Sequence, residues 1–456
     1  MFIVTMTMWL PDLDCFEGPK YKMIADAIEE DIVKERISPG FQLPPHRELA
    51  DRLGVTVGTV TRAYSEASKR GLLRGETGRG SFVAGKGFGE PFLTHAEESL
   101  KNAVDMGMTL PLHHLDPPMS QAFAYLAEEN DLQGLLRYYP SKGRLEDREI
   151  GARWLTRYFL EVKADQVLIT AGGQNALALV LGSIFSAGDS IAVEKVTYPL
   201  FKTLGRRFGI KLVSVEMDEE GMLPEDLERI ARTHKLKGIY CMPTCHNPTA
   251  ASMSAERRRA IAEIAEKEEF FVIEDDAYAL LSKDQFLPIF SILPDRTFYV
   301  ASFSKAVCCG LRYGYLVLPA GYLKRVEQCL ADVMWMVSPL SAKVMNHWIA
   351  NGVADKTIRL KKEEARKRNQ VAKEILAGHQ FSMQDTGYFV WLQLPEEWNS
   401  TDFAREASEH GVIVTPQDYF TVSHASSINA VRIALSGPDD VVHLRRGLEI
   451  VRDLLN

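Results

Sequence analysis

Hydrophobic residues fall at helical spacing near the start of the chain and in short, strand-like runs through most of the rest. In KYKMIADAIEEDIVKER (residues 20–36), Ile24, Ala27, Ile28, Ile32 and Val33 share one face, which predicts an amphipathic helix that Ser38-Pro39-Gly40 breaks. Pro44-Pro45 precedes HRELADRLG, a short helix stopped by Gly54. Thr56 is placed to cap a third helix, VGTVTRAYSEASKRG, whose Val60, Ala63, Tyr64 and Ala67 form one apolar stripe and which Gly71 ends. LLRGETGRGSFVAG then reads as two short strands about a glycine-rich turn bearing Arg79.

Residues 85–104 mix glycine, one proline and charges without a period, and are read as a linker. From Asp105 strand and helix patterns alternate. QVLITA, SIAVE, KLVSVE, GIYCMP, FFVIED and TFYVAS are apolar runs suited to a sheet covered on both faces, and QNALALVLGSIF and SAERRRAIAEIAEK read as helices between them. The alternation predicts a parallel α/β domain with right-handed crossovers over 105–355. From Lys356 the pattern changes to helix plus strand pairs (YFVWLQL, AVRIAL), a smaller α+β lobe over 356–456. Residues 1–19 are left as an N-terminal extension, of which MFIVTMT carries no motif and is expected to be dispensable, the product of an upstream start codon.

Composition narrows the class. With 46% apolar and 25% charged residues among 456, wholesale disorder is excluded. No apolar stretch approaches the ~20 residues of a membrane helix. The N-terminus lacks the basic region of a signal peptide, so a cytoplasmic protein is expected. Six cysteines show no CxxC pair and no grouping with histidines, which predicts reduced thiols, no disulfide and no metal site. The net charge is −8, but residues 20–84 carry +2 and the remainder −10. Arg62, Lys69, Arg70, Arg74 and Arg79 face only Glu66 and Glu76 within 55–80. A small basic patch on an acidic chain suits a nucleic-acid module.

Helix, helix, turn, helix, hairpin is the order of a winged helix-turn-helix. Thr56, Gly58, Thr59 and Thr61 are short residues at the start of the third helix, where side chains reach base edges; Arg47 opens the second, and Arg79 lies between glycines whose amides can approach a phosphate. A helical hairpin used for dimerisation is the alternative. LPPHRELADRLGVTVGTVTRAYSEASKRGLLRGETGRGSFV resembles the winged helix of the GntR family. The resemblance implies DNA contacts from Arg47, Thr56, Thr59 and the wing about Gly78 to Gly80, with Thr61 and Arg62 on the same helix. Where the family usually carries arginines, this chain has Val57 and Thr61, with Arg62 one place on. That departure turns attention from guanine reading to Arg47, DNA shape and half-site spacing.

A second constellation lies further on. Lys305 follows a strand in SFSKAVCCGLRYG, flanked by Ser302 and Ser304, with Arg312 seven residues on. Asp275 and Tyr278 stand at the end of FFVIEDDAY, at the sheet edge where α/β folds bind ligands; Asn247-Pro248 closes another strand, and TAGGQNALALV puts a glycine pair at a helix start suited to phosphate. Lysine, carboxylate, hydroxyls and arginine are the parts that pyridoxal phosphate chemistry requires. From Asp105 onward the chain is similar to the fold-type I, class I/II aminotransferases. The resemblance implies that Gly173, Gln174, Ser302, Ser304 and Arg312 hold the phosphate of pyridoxal 5'-phosphate. It implies further that Tyr198 stacks on its ring, Asn247 and Tyr278 bind its phenolate oxygen, Asp275 its ring nitrogen, and Lys305 bonds it covalently. Arg432, in NAVRIAL, matches the arginine for a substrate α-carboxylate, and Tyr138, five residues before Gly143 in YYPSKG, the tyrosine that reaches the neighbouring subunit's phosphate.

A GntR-type module joined to an aminotransferase-like domain resembles the MocR subfamily of regulators over nearly the whole chain. It implies a homodimer that binds a double-stranded DNA operator and senses an amino acid or related amine. The competing readings are a working aminotransferase with an accessory winged helix, and a protein that keeps only the fold.

Overall fold

The computed structural model describes residues 9–13, 16, 18–34, 36–37, 41–69, 72–76, 80–83, 103–128, 132–158, 160–283, 286–422 and 428–456. The chain divides into two compact units, residues 1–95 and 96–456.

The first unit contains helices α1 (Lys20–Val33), α2 (His46–Leu53) and α3 (Val57–Lys69) and the hairpin strands β1 (Leu73–Glu76) and β2 (Gly80–Val83). Gly54 ends α2 at φ +62, a left-handed conformation that costs glycine nothing, and Thr56 Oγ1 then accepts the amide of Thr59 at 3.2 Å to start α3. The expected stripe of α3, Val60, Ala63, Tyr64 and Ala67, is buried with Ile24, Ala25 and Ile28 of α1 and Leu49 and Ala50 of α2. The hairpin pairs antiparallel from Leu73 with Val83 to Glu76 with Gly80, and Leu73 and Val83 close the same core. Gly78 and Arg79, expected at its tip, lie outside the described residues.

Trp9 belongs to this core too, so the boundary expected at residue 20 falls inside the folded unit. Its Nε1 donates to Asp31 Oδ2 at 2.7 Å, and Arg36 Nη1 donates to Oδ1 of the same carboxylate at 2.9 Å. A chain begun at Met8 should therefore keep the unit intact, whereas Trp9→Ala should cost about 3–5 kcal/mol, the usual loss for a large buried aromatic. Hydrogen exchange of the α1 amides in the full-length protein reads the difference; equal protection in Trp9→Ala would contradict it.

In the second unit a seven-stranded sheet lies among helices. Its strands in chain order are β4 (Val167–Thr170), β5 (Ser190–Glu194), β6 (Lys211–Val215), β7 (Leu236–Cys241), β8 (Phe271–Asp275), β9 (Thr297–Ser302) and β10 (Gly314–Val317), in the spatial order β4-β10-β9-β8-β7-β5-β6. The run from β9 to β6 is parallel, as the alternating pattern predicted, but β10 is antiparallel to both β9 and β4. The sheet is mixed rather than wholly parallel because GYLV follows β9 after a short loop and runs back beside it. Strands buried on both faces explain the unbroken apolar runs.

The smaller lobe has the antiparallel strands β11 (Phe381–Ser382), β12 (Phe389–Gln393), β14 (Thr415–Pro416) and β15 (Ala430–Ala434) in the order β11-β12-β15-β14. Two corrections to the expected boundaries follow. Residue 356 lies within one continuous helix, Val353–Ile375, whose final turns pack into the lobe's core. The strand β3 (Val104–Asp105), at the junction of the expected linker and large domain, pairs in parallel with β13 (Val412–Ile413) instead, and Met106 is buried in the small lobe's core. No helix among the described residues is long and apolar enough to cross a membrane.

Candidate functional site

The strand ends carry the second unit's chemistry. Beyond β4, Gly172 turns at φ +82 to start the helix Gly173–Ile184, which no side chain caps, so its first amides stay open to an anion. The guanidinium of Arg312 lies over this turn: Nη2 donates to the Ala171 carbonyl at 3.2 Å and Nη1 to Ser304 Oγ at 3.4 Å. A Cβ on Gly172 would come within 2.8 Å of Nη2, so glycine is required for the arginine to close over the helix start. Ser302 Oγ accepts the Ser304 amide at 3.2 Å and lies 3.8 Å from where a Gly173 Cβ would stand. Gln174 Oε1 is buried with no hydrogen-bond partner among the described residues. Open amides, two serines and an arginine make a cradle for a phosphate.

At the end of β8, Asp275 is buried and accepts the Tyr240 hydroxyl on Oδ2 at 2.9 Å, while Oδ1 has no hydrogen-bond partner among the described residues. Burial pushes its carboxyl up to about 7, with Asp276 adding to the rise and Tyr240 and the Ala277 amide opposing it. A cationic ring nitrogen at Oδ1 would supply the missing partner. Lys305 lies beyond β9 with Nζ donating to the Thr109 carbonyl; Thr109 Oγ1 is 3.3 Å from the same nitrogen and 3.1 Å from the Tyr278 hydroxyl. Burial, followed by Arg432 and Arg312, lowers Lys305 to about 8, with Cys309 acting in the opposite sense. A substantial neutral fraction near pH 8 makes the amine a nucleophile.

Arg432, on β15, is buried and donates from Nη1 to Asn247 Oδ1 at 2.8 Å and from Nη2 to the Gly107 carbonyl at 2.6 Å. Its guanidinium lies 4.9 Å from the Phe420 ring centroid, and burial lowers it to about 10, so it stays cationic at neutral pH. Tyr198, at the start of the helix Pro199–Arg207, stands in the electrostatic reach of Asp275, Tyr278, Arg432 and Arg312, and burial holds its phenol protonated. The residues expected at the pocket therefore come together, with one exception. Tyr138 is 80% exposed, its ring 5.5 Å from that of Trp335, and it makes no described contact with the pocket of its own chain.

Thr109, Gly107 and Tyr240 were not expected. Tyr240 carried a faint signal as a polar-tipped aromatic in a buried strand, stacked on Phe201 at 3.7 Å; Thr109 and Gly107 lie in an irregular segment with none. The group fits: bound pyridoxal 5'-phosphate supplies an aldehyde that captures amines and a protonated ring that withdraws electrons from them. Around it, Asp275 would hold the ring nitrogen's proton, Lys305 would present the amine, Arg312 and the open helix start would hold the phosphate, and Arg432 would be available to a carboxylate.

In the first unit, Arg47 is exposed on α2. Thr56 Oγ1 and Thr59 Oγ1 are 2.9 Å apart, and Thr61 Oγ1 is 3.0 Å from His46 Nδ1. Arg62 extends over the ring of Tyr21 with its guanidinium carbon 3.9 Å from the centroid.

Residues 110–444 match the aminotransferase class I and II family, and residues 20–83 the gntR family of bacterial regulatory proteins. The chain is 33% identical over 448 residues to YdeF, an uncharacterised HTH-type transcriptional regulator of Bacillus subtilis, covering 98% of this chain and 97% of that one. It is 25% identical over 479 residues to the HTH-type transcriptional regulator TauR of Rhodobacter capsulatus, covering 95% and 97%. Among solved structures, an archaeal alanine:glyoxylate aminotransferase superposes with a TM-score of 0.74 at 25% identity, over 81% of this chain and 96% of that one. Winged helix, cofactor domain and full-length similarity together place the chain in the MocR subfamily of GntR-type regulators, whose second domain has the fold-type I aminotransferase architecture and takes pyridoxal 5'-phosphate.

Proposed function

We propose that this protein is a transcription regulator that binds an amino acid or related amine in its cofactor pocket and changes its hold on a DNA operator. The observation that carries the reading is the convergence of Lys305, Asp275 and Arg432 on one pocket in a chain that also has a winged helix. Lys305 and the cofactor receive the ligand's amine, and Arg432 its carboxylate. Arg47, Thr56, Thr59, Thr61 and Arg62, with Arg79 of the wing, face the duplex, α3 entering the major groove.

The functional form is a homodimer acting in the cytoplasm. Leu136, Tyr138, Val333, Met334, Trp335 and Leu340 are exposed apolar or aromatic residues, and Tyr138 and Trp335 stand side by side. A second copy would cover them and bring Tyr138 to the neighbouring cofactor's phosphate. Two copies also present two recognition helices to a pseudo-palindromic site.

The test is a screen of amino acids and amines by the absorbance of the bound cofactor, followed for each hit by operator binding and transamination assays. A hit that shifts DNA affinity by a coupling of about 1–3 kcal/mol while turnover stays slow supports the regulator. The second reading, a working aminotransferase, is favoured by the complete pocket and the nucleophilic Lys305. Turnover of about 10 per second with DNA binding indifferent to the ligand would establish it and overturn the first.

A further inference from the structure

The exposed side of α3 carries one aliphatic side chain among short polar ones. Thr56, Val57, Gly58, Thr61, Arg62 and Ser65 are exposed there, while Val60, Ala63, Tyr64 and Ala67 face the core. Val57, the first residue of α3, is 42% exposed. The groups around it are already engaged within the unit. Thr56 and Thr59 share a hydroxyl contact at the helix start, Thr61 meets His46, and Arg62 stacks over Tyr21. Gly58 beside Val57 has open space around it: an added Cβ would meet only Thr56 Oγ1, at 3.7 Å. The first turn therefore offers a methyl-bearing surface on a bare backbone, and no cation that could fork onto a guanine.

Among base edges in the major groove, the apolar group is the C5-methyl of thymine. We propose that Val57 packs against a thymine methyl in each operator half-site, so that the first turn of α3 selects A·T at that position by apolar contact. The inference rests on the reading above, in which α3 enters the major groove. Arg47, exposed on α2, lies outside the first turn of α3, so whatever it adds to DNA binding is separate from a methyl contact at Val57.

Removing a methyl from such a contact is worth about 0.8 kcal/mol, or roughly fourfold in affinity, and about 15-fold when both half-sites of a dimer lose it. The test uses the full-length protein and a duplex pool randomised over its centre. Enriched duplexes are resynthesised with deoxyuridine for thymidine, which deletes the methyl and leaves the hydrogen-bonding edge unchanged. The expected result is a loss of roughly 15-fold for the unaltered protein. Val57→Ala should bind the thymine duplex more weakly by a similar factor and no longer distinguish uracil from thymine, with its thermal unfolding unchanged because the side chain is exposed. Indifference of the unaltered protein to uracil, or a Val57→Ala protein that still prefers thymine to uracil by the unaltered factor, overturns the assignment while leaving DNA recognition standing. Failure to enrich any duplex overturns both.

Discussion

Lys305→Ala protein is expected to lose every trace of covalently held cofactor. Borohydride treatment of the unaltered protein, saturated with pyridoxal phosphate, should fix the cofactor to Lys305 Nζ, and peptide mapping should find the variant unmodified anywhere in the pocket. The pH dependence follows from burial. Because Lys305 is lowered to about 8, cofactor-free protein should load about tenfold faster per pH unit as pH rises toward 8, and level off above it as the amine becomes neutral. The sign of the linkage agrees: a folded-state value below the ordinary 10.5 means that the unfolded chain holds the proton more tightly between the two. The protonated lysine thus weighs against the cofactor-free fold below pH 8, and this burden is lifted between about 8 and 10.5. An unmodified Lys305 in reduced, cofactor-saturated protein would refute the assignment.

The second large effect is expected at Arg432. Its guanidinium is held from two sides, by Asn247 Oδ1 and the Gly107 carbonyl, and stands against Phe420, an arrangement that presents a fixed cation to a carboxylate. Arg432→Ala should weaken binding of a carboxylate-bearing effector by about 1.5–3 kcal/mol, roughly 10- to 150-fold. Effectors lacking a carboxylate should bind the variant nearly as before, which separates lost recognition from general damage to the pocket. Arg432→Lys should recover only part of the loss, since an ammonium cannot reproduce the planar fork. Titration of the cofactor's absorbance gives each affinity. Equal weakening toward amines with and without a carboxylate would remove Arg432 from the role.

Reading depth in the sequence followed the range of the interactions. The first unit was legible element by element because its determinants are local: Gly54 stops one helix, Thr56 starts the next, and the stripe from Val60 to Ala67 marks the buried face. In the second unit six strands of the large sheet and their parallel run were legible, but the seventh strand, GYLV, and its reversed direction were not. GYLV carries no mark of running antiparallel, since its direction is set by pairing with β4, well over a hundred residues earlier. Val104–Asp105 is too short for any period and finds its partner strand some three hundred residues on. The pocket followed the same rule. Asp275 and Lys305 stand at recognisable strand ends, and resemblance supplied Arg432, whereas Thr109 reads as an ordinary loop threonine until the fold brings it to Lys305, 196 residues away.

The Gly107 carbonyl stands where a ligand carboxylate would compete for Arg432. It accepts Arg432 Nη2, and the same short stretch is stitched to the small lobe by the Val104 amide on the Gly411 carbonyl and the Met106 amide on the Ile413 carbonyl. A ligand carboxylate that took the guanidinium would release the Gly107 carbonyl from Arg432 and leave it to Thr415 Oγ1, which also donates to it at 2.7 Å. That release would reach the neighbouring Val104 and Met106 pairings without any need for the lobe to swing. Faster hydrogen exchange at the Val104 and Met106 amides on effector binding is the expected trace, and unchanged exchange there would assign the signal to another route.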